Sequence, residues 1–232
     1  MSFVFLYISS LAHAQEALVV DRPSVGTASS VVSKGTIQLE TGVQIDGNPE
    51  LDCDSCLYSF ASASYSLPTM LRVGIHDRFE LRPYSSVVVV GEEFQALQDT
   101  GLQGKFSAYA PEDKPFSLSL LASGDLEAGG ATVLLDFWGE AWGGWINAGN
   151  TTTYEDGSTS ILLVEGFGIP LPGNHSIFIE NSTTVAEGAI SSTIESGFTK
   201  TYDNFQWDVY ALSSVTEKNS WQIATGFAWR MR

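Results

Sequence analysis

The chain has 232 residues, with 27 Asp and Glu against 11 Lys and Arg, and a formal net charge of −16. This balance argues against a nucleic-acid partner, because phosphate neutralisation requires a clustered Lys and Arg surface. Charged residues make up only 16% of the chain, against roughly 25% in a soluble globular domain, whereas aromatic residues reach 12%. The length suits one all-β domain, since barrels and sandwiches of about 200–250 residues are common.

The N-terminus has the pattern of an export signal. Residues 3–11 form a short apolar run, and Ala12-His13-Ala14 supplies a small-x-small cleavage pattern. We therefore expect a signal peptide over residues 1–14. No Lys or Arg precedes the apolar run, which leaves a buried N-terminal strand as the alternative. The run is too short for a membrane-spanning helix, which needs about 20 apolar residues.

Alternation with a period of two begins at Thr36. Over residues 36–46 one parity is mostly apolar and the other is hydrophilic, which is typical of a strand with two different faces. Residues 62–75 repeat the pattern, His76-Asp77 marks a tight turn, and a third strand is predicted over residues 78–90.

The two cysteines, Cys53 and Cys56, lie in the polar segment GNPELDCDSC between the first two predicted strands. In an exported protein they are expected to form a small loop disulfide. A thioredoxin-type role is disfavoured because no βαβ pattern surrounds them. Zinc is disfavoured as well, because the chain has three scattered His and no second Cys pair.

Nine further strand-like segments follow, separated by turn residues: 102–109, 116–123, 132–138, 142–154, 159–169, 176–185, 190–201, 205–214 and 220–230. About twelve strands therefore fill the chain without a domain break. Compact turns alternate with longer connections, of which residues 47–55 and 91–98 are acidic. This alternation predicts an up-and-down antiparallel transmembrane β-barrel with short periplasmic turns at one end. We expect an N-terminal periplasmic segment over residues 15–33 and the β-barrel domain over residues 34–232.

The polar parity of the predicted strands favours this barrel over a soluble sandwich. That parity carries mostly Ser, Thr, Gly, Gln and Asn, whereas a strand face in water usually carries many Lys and Glu. Isolated charges sit near the middle of the strands, at Glu40, Arg72, Glu80, Arg82, Lys105, Asp136, Glu165, Glu180, Glu195 and Asp208. These are candidates for lining or constricting a narrow lumen.

Tryptophan placement is the second argument for a membrane barrel. Five Trp residues lie beside predicted turns or near strand ends: Trp138, Trp142, Trp145, Trp207 and Trp229. Aromatic girdles at the two membrane interfaces produce such a distribution. The alternative is that they are core residues of a soluble sandwich.

The candidate functional site is the group Glu40, Arg72, Glu80 and Arg82, which neighbouring strands would bring onto one lumen-facing patch. Opposed charges there would constrict a pore, or they would form a salt-bridge plug that only stabilises the barrel. No acidic pair has a companion nucleophile or His, so we expect neither catalysis nor a cofactor. A calcium-type cation could bind at Asp46, Asn48, Asp52 and Asp54, but the loop lacks the glycine and terminal Glu of an EF-hand, so we expect a solvated acidic loop and no metal site.

Three segments carry a resemblance to a known family: Asp21-Arg22-Pro23, KGTIQLETG over residues 34–42, and LPTMLRVGIHDRFELR over residues 67–82. They resemble the phenol-degradation meta-pathway family of bacterial outer-membrane proteins, which are described as transporters. The resemblance is strong over the first third of the chain and loose elsewhere, including WQIATGFAWR at residues 221–230. It implies a barrel of about twelve strands in the outer membrane of a Gram-negative-type envelope, and uptake of small hydrophobic or aromatic solutes.

One departure concerns assembly. Barrels of this kind usually end on an aromatic residue that the assembly machinery reads, whereas this chain ends Trp229-Arg230-Met231-Arg232; Phe227 and Trp229 are candidates for a displaced signal. We expect an outer-membrane channel that passes small solutes passively, with membrane lipid, the barrel-assembly machinery and a small-molecule solute as partners. The alternatives are an exported soluble β-sandwich for binding or adhesion, and a structural barrel with a plugged lumen.

Overall fold

Twelve antiparallel strands form within the part of the chain that the structure describes, and they close into one barrel. The computed structural model describes residues 18, 20–21, 25–47, 64–90, 93–217 and 220–231. The strands are β1 (Ile37–Asp46), β2 (Ser64–His76), β3 (Phe79–Val90), β4 (Glu93–Tyr109), β5 (Phe116–Asp125), β6 (Ala128–Trp138), β7 (Gly143–Thr153), β8 (Thr159–Leu171), β9 (His175–Ala186), β10 (Ala189–Thr201), β11 (Phe205–Ser214) and β12 (Trp221–Met231). Each strand pairs with its sequence neighbours, and β1 pairs with β12. The predicted up-and-down barrel is confirmed. The sandwich alternative is wrong, because the sheet closes on itself.

The barrel has polar residues inside and apolar residues outside, which is the reverse of a soluble protein. Gln38, Arg72 and Lys105 are fully buried on its inner side, whereas Leu120 and Ile179 on its outer side are about half exposed. A soluble monomer rarely exposes an apolar surface this extensive, whereas an outward apolar band is typical of transmembrane barrels. The described residues contain no helix long and apolar enough to cross a membrane.

The hairpin of β3 and β4 is longer than the sequence predicts. Residues 91–98 were expected to form an acidic loop, but β4 begins at Glu93 and pairs with the end of β3 from Val88 onward. That expectation is wrong because the run of β-branched Val residues favours an extended backbone and offers a pairing edge to the polar chain that follows. Two register shifts, between Tyr84 and Val88, accompany the extension.

The chain before β1 turns into the barrel. Thr36 N–H donates to Ser33 O at 3.0 Å, and Gly74 of β2 exchanges backbone hydrogen bonds with Gly35 and Thr36. Position 74 requires glycine, because a Cβ there would lie 2.0 Å from Ser33 O. The preceding residues thus enter the lumen from the end that carries the short turns. We call the described residues 18, 20–21 and 25–33 the inner segment. These residues were predicted to lie in the periplasm. They lie inside the barrel instead, where they contact the inward-facing side chains described below.

Aromatic side chains surround the turn end of the barrel. Trp138, Trp142, Trp207 and Trp229 each expose 41–44% of their surface there. Ring contacts link neighbouring strands at this end: Tyr109 with Phe116, Trp142 with Phe137 and Phe167, Phe198 with Trp207, and Phe205 with Phe227. The arrangement of Trp142, Trp207 and Trp229 suits a membrane interface, and that role stays a prediction. Trp138 shares the parity of the buried Leu134 and lines a cavity inside the barrel.

Candidate functional site

Strands β1 to β4 bring five charged side chains into one buried group, which we call the charged wall: Glu40, Arg72, Glu80, Arg82 and Lys105. Arg72 occupies its centre, with Nη1 3.1 Å from Glu40 Oε1 and Nη2 3.0 Å from Glu80 Oε1. Lys105 lies opposite Glu80 in the β3–β4 register, with its Nζ 3.3 Å from Glu80 Oε1. Each of the five is at most 2% exposed. The four-residue patch expected from the sequence is therefore assembled, with Lys105 as a fifth member.

Asp21 of the inner segment inserts its carboxylate into the charged wall. Its Oδ2 lies 3.6 Å from Arg72 Nη1 and 3.2 Å from Lys105 Nζ, and it also pairs with Arg82 Nη2. Burial alone would raise the pKa of Asp21, but Arg72, Arg82 and Lys105 outweigh it and hold the pKa well below its usual range. With Asp21 included, the group contains three cationic side chains and three carboxyl side chains, so their formal charges balance.

The cations of the charged wall also bind backbone carbonyls of the inner segment. Lys105 Nζ donates to Ala28 O and to Ser30 O, each at 2.9 Å. Arg72 Nη2 donates to Ser30 O at 3.1 Å. These bonds satisfy peptide oxygens that would otherwise be buried without a donor.

The opposite side of the lumen binds mainly peptide groups of the inner segment. Glu180 accepts a hydrogen bond from Gly26 N–H, at 2.9 Å to Oε1. Asn147 bonds both peptide groups of Thr27, since its Oδ1 accepts from the N–H at 2.6 Å and its Nδ2 donates to the carbonyl at 3.0 Å. The Asn147 side chain therefore bonds the N–H and the carbonyl of Thr27 in the way that the backbone of a neighbouring strand would.

Ser29 is held by three side chains of β5 and β6. Its N–H and its hydroxyl both donate to Asp136 Oδ2, at 2.8 and 2.9 Å. The Ser29 hydroxyl also contacts the Ser117 hydroxyl, and the Ser119 hydroxyl donates to Ser29 O. We call the set that binds residues 26–29 the amide wall: Ser117, Ser119, Asp136, Asn147 and Glu180. The sequence singled out Asp136 and Glu180 and missed the other three, because Ser and Asn are common on every polar strand face.

Trp145 faces the lumen, so its assignment to the membrane interface is wrong. Its Nε1 donates to Glu180 Oε2 at 2.6 Å, and its indole packs closely over Gly166 of β8. Trp145 lies on the inward parity of β7, next to the outward Ile146. Proximity to a turn does not fix which way a strand residue points.

Glu165 is the other misplaced residue. It is exposed and shares the outward parity of β8 with Leu163 and Phe167, whereas Val164 is fully buried. The inner face of β8 is apolar here, and therefore the assumption that every polar residue points inward selects the wrong face. Asp208 and Glu195 are buried on the inward parities of β11 and β10, as expected.

Two cavities flank the inner segment. The cavity toward the turn end has a volume of about 390 Å³, and Trp145, Ile169 and Phe178 are among its lining residues. The cavity toward the loop end has a volume of about 540 Å³, and its lining includes Glu40 and Arg82. Thr27 lines both cavities. The inner segment thus divides the lumen into two compartments.

Cys53 and Cys56 lie outside the described residues, so their disulfide stays a prediction. Within the described ranges, no group of three or more His, Cys, Asp or Glu is arranged to hold a metal ion.

No protein-family model and no curated protein matches the chain. Solved structures do match. KdgM porin aligns over 85% of this chain and 99% of its own, with a TM-score of 0.58 and 10% identity. The COG4313 outer membrane channel from Pseudomonas putida F1 aligns over 90% and 100%, with a TM-score of 0.60 and 9% identity. NanC porin aligns over 83% and 98%, with a TM-score of 0.60 and 7% identity. At these identities the likeness shows the fold, which is that of a twelve-stranded porin-like barrel.

Proposed function

We propose that this chain is an outer-membrane channel that passes small solutes passively, and that the inner segment is a plug that must shift before they pass. One observation carries the proposal: the inner segment divides a polar lumen into two cavities, and Thr27 lines both. A barrel with only a structural role in the membrane would need no such compartments. Ion pairs and hydrogen bonds hold the described part of the segment, and these can break and re-form.

The proposed location is the outer membrane of a Gram-negative-type envelope. The apolar outer wall supports contact with lipid, and the similar structures are outer-membrane porins and channels. We propose that the barrel-assembly machinery inserts the chain, with the outward Phe227 and Trp229 of β12 as its recognition signal.

The proposed solutes are small organic molecules, including aromatic or hydrophobic ones. The resemblance to the phenol-degradation meta-pathway family supports this class, and so do the inward Trp145 and Phe178 side chains at the turn-end cavity. KdgM porin has been solved with a disordered oligogalacturonate, so a barrel of this fold can admit a small solute. Transport in this proposal is passive and involves no catalysis.

Swelling of liposomes that contain the full chain, in neutral solutes of increasing size, tests the proposal. Gly26→Ala should loosen the plug, because a Cβ at Gly26 would lie 2.4 Å from Glu180 Oε2 and 2.5 Å from Trp145 Nε1. The expected result is slow swelling with the native chain and faster swelling with Gly26→Ala. Thr27→Ala is the matched control, because the described hydrogen bonds of Thr27 use only its peptide groups.

A structural barrel with a permanently closed lumen is the second candidate. The many bonds between the inner segment and both walls favour it, because each one resists displacement of the plug. Swelling that stays at the level of empty liposomes for the native chain and for Gly26→Ala would support this candidate and reject the channel.

A further inference from the structure

The loop-end cavity contains two buried polar atoms of opposite character. Arg82 Nη1, a donor, and Gln103 Oε1, an acceptor, have no hydrogen-bond partner among the described residues. Arg82 is only 1% exposed. Buried polar atoms without partners are rare in folded proteins, and each one calls for a physical explanation.

The two side chains are neighbours that face the same space. Arg82 of β3 lies directly opposite Gln103 of β4 in the antiparallel register, which places their Cβ atoms about 5 Å apart. Both line the cavity of about 540 Å³ at the loop end. Both atoms are buried in the structure as it stands, so a small group in this cavity can reach both once a shift of the neighbouring side chains uncovers them.

The guanidinium of Arg82 is fixed by its other contacts. Its Nη2 pairs with Asp21 Oδ2 and lies 3.0 Å from Met70 Sδ, and its Nε lies 3.7 Å from Glu80 Oε1. Nη1 is thus the donor that remains, held in place by the charged wall rather than free to turn away.

The chemistry of the two atoms selects the ligand. A hydroxyl group accepts one hydrogen bond and donates another, so it satisfies both atoms at once. A carboxylate has no hydrogen to donate to Gln103, and any anion, phosphate included, would meet Asp21, Glu40 and Asp46, which line the same cavity. An ammonium group has no lone pair to accept from Arg82.

We propose that Arg82 and Gln103 form a binding site for the hydroxyl group of a small, neutral organic solute. Its apolar body contacts Val25, Pro68 and Met70, which also line the cavity. The site adds a ligand class to the proposed function, and it rests on that function for the route by which a solute reaches the lumen. It would hold hydroxylated solutes on the loop side of the plug.

Fluorine NMR titration of the full chain, folded in detergent micelles, tests the site. The probes are 4-fluorophenol, fluorobenzene, which lacks the hydroxyl, 4-fluorobenzoate, which is an anion, and 4-fluorocyclohexanol, which separates aliphatic from aromatic hydroxyls. We expect saturable binding of one or both hydroxyl probes, at least about tenfold tighter than of fluorobenzene or 4-fluorobenzoate. Fluorobenzene leaves both polar atoms unpaired, whereas 4-fluorobenzoate leaves Gln103 without a donor and meets the carboxylates of the cavity.

Two matched variants locate the binding. Gln103→Leu removes the acceptor and should weaken hydroxyl-probe binding by about tenfold, which is the range of one hydrogen bond. Gln44→Leu is the control, because Gln44 lines the same cavity but already donates to Asp46; binding should stay within about twofold. Should Gln103→Leu fail to fold, Gln103→Met takes its place, and the four-probe comparison on the native chain needs no variant.

Three results would overturn the site: equal binding of 4-fluorophenol and fluorobenzene, hydroxyl-probe binding that Gln103→Leu leaves unchanged, or no saturable binding of either hydroxyl probe. The last would mean that the two atoms bind water only.

Liposome swelling tests the proposed function separately from this inference. Swelling without probe binding rejects the site alone, whereas probe binding without swelling, in the native chain and in Gly26→Ala, rejects the channel alone.

Discussion

The charged wall and the amide wall hold the same inner segment by different chemistry. The charged wall binds one particular side chain, the Asp21 carboxylate, which lies among Arg72, Arg82 and Lys105. The amide wall binds mainly the peptide groups of residues 26–29, which nearly every amino acid supplies. The charge requirement of the plug is therefore concentrated at Asp21, whereas the amide wall requires a backbone that lies close to the barrel, with no Cβ at Gly26 and a hydroxyl at Ser29.

The two walls also differ in what a lost partner leaves behind. In the charged wall the missing group leaves buried cations uncompensated, and this costs more free energy than the intact ion pair contributes. In the amide wall a lost partner leaves one or two neutral peptide groups unbonded, which is a smaller penalty. Substitutions in each wall should therefore lower the free energy of unfolding by different amounts.

Asp21→Asn should have the largest effect. The amide keeps the shape of the carboxylate but removes the charge that Arg82 and Lys105 share, so the free energy of unfolding should fall by about 3–5 kcal/mol. Chemical unfolding of the barrel in detergent, followed by Trp fluorescence, measures it. Asp77→Asn, in the exposed β2–β3 turn, is the control. A loss as small as that of the control would mean that the charged wall does not depend on Asp21.

Asn147→Ala should have the next largest effect, since it removes both hydrogen bonds to Thr27. We expect the free energy of unfolding to fall by about 2 kcal/mol, because two buried peptide groups lose their partners. Thr27→Ala should change it by less than about 0.5 kcal/mol, as for a substitution that removes no specific contact. If the two variants were equally destabilised, the amide wall would be recognising the Thr27 side chain, and the contrast between the walls would disappear.

Glu165→Leu tests a carboxylate that points into neither wall. Because Glu165 lies on the outer face in the middle of β8, contact with lipid should make it costly, and Leu should raise the free energy of unfolding by about 1 kcal/mol. The same substitution at the exposed Glu112, in the β4–β5 turn, should leave stability unchanged. Destabilisation by Glu165→Leu would place this side chain against a polar partner instead of lipid.

Asp136→Asn should have the smallest effect and gives the most direct contrast with Asp21→Asn. Asn keeps an acceptor oxygen for Ser29, so we expect a loss below about 1 kcal/mol from the same chemical change. The comparison requires both variants in one unfolding series. A loss at Asp136 equal to that at Asp21 would show that the amide wall needs charge, not only acceptors.

Local alternation was enough to predict the barrel. Side-chain parity in β1, β2 and β3 put Glu40, Arg72, Glu80 and Arg82 on one inner surface, because adjacent antiparallel strands in a hairpin have nearly fixed registers.

The contacts and orientations that the sequence did not predict have physical causes. Asp21 and Lys105 are 84 positions apart in the chain, and no period connects an irregular segment to a strand. The contacts of Thr27 and Ser29 are made chiefly by the backbone, which leaves no signature in residue type. Trp145 and Glu165 were misplaced because parts of this lumen wall are apolar and aromatic.

The most direct test of a movable plug is to lock it in place. The hydroxyls of Ser29 and Ser117 touch, so Ser29→Cys with Ser117→Cys, in a Cys53→Ser, Cys56→Ser background, puts two thiols within reach of a disulfide between the inner segment and β5. Single-channel conductance in planar bilayers is recorded before and after reduction, with each single-cysteine variant as a control. A movable plug should give a closed channel when the disulfide is formed and opening events once it is reduced. Equal conductance in the two states would rule out a movable plug, because solutes would then pass without displacement of the inner segment.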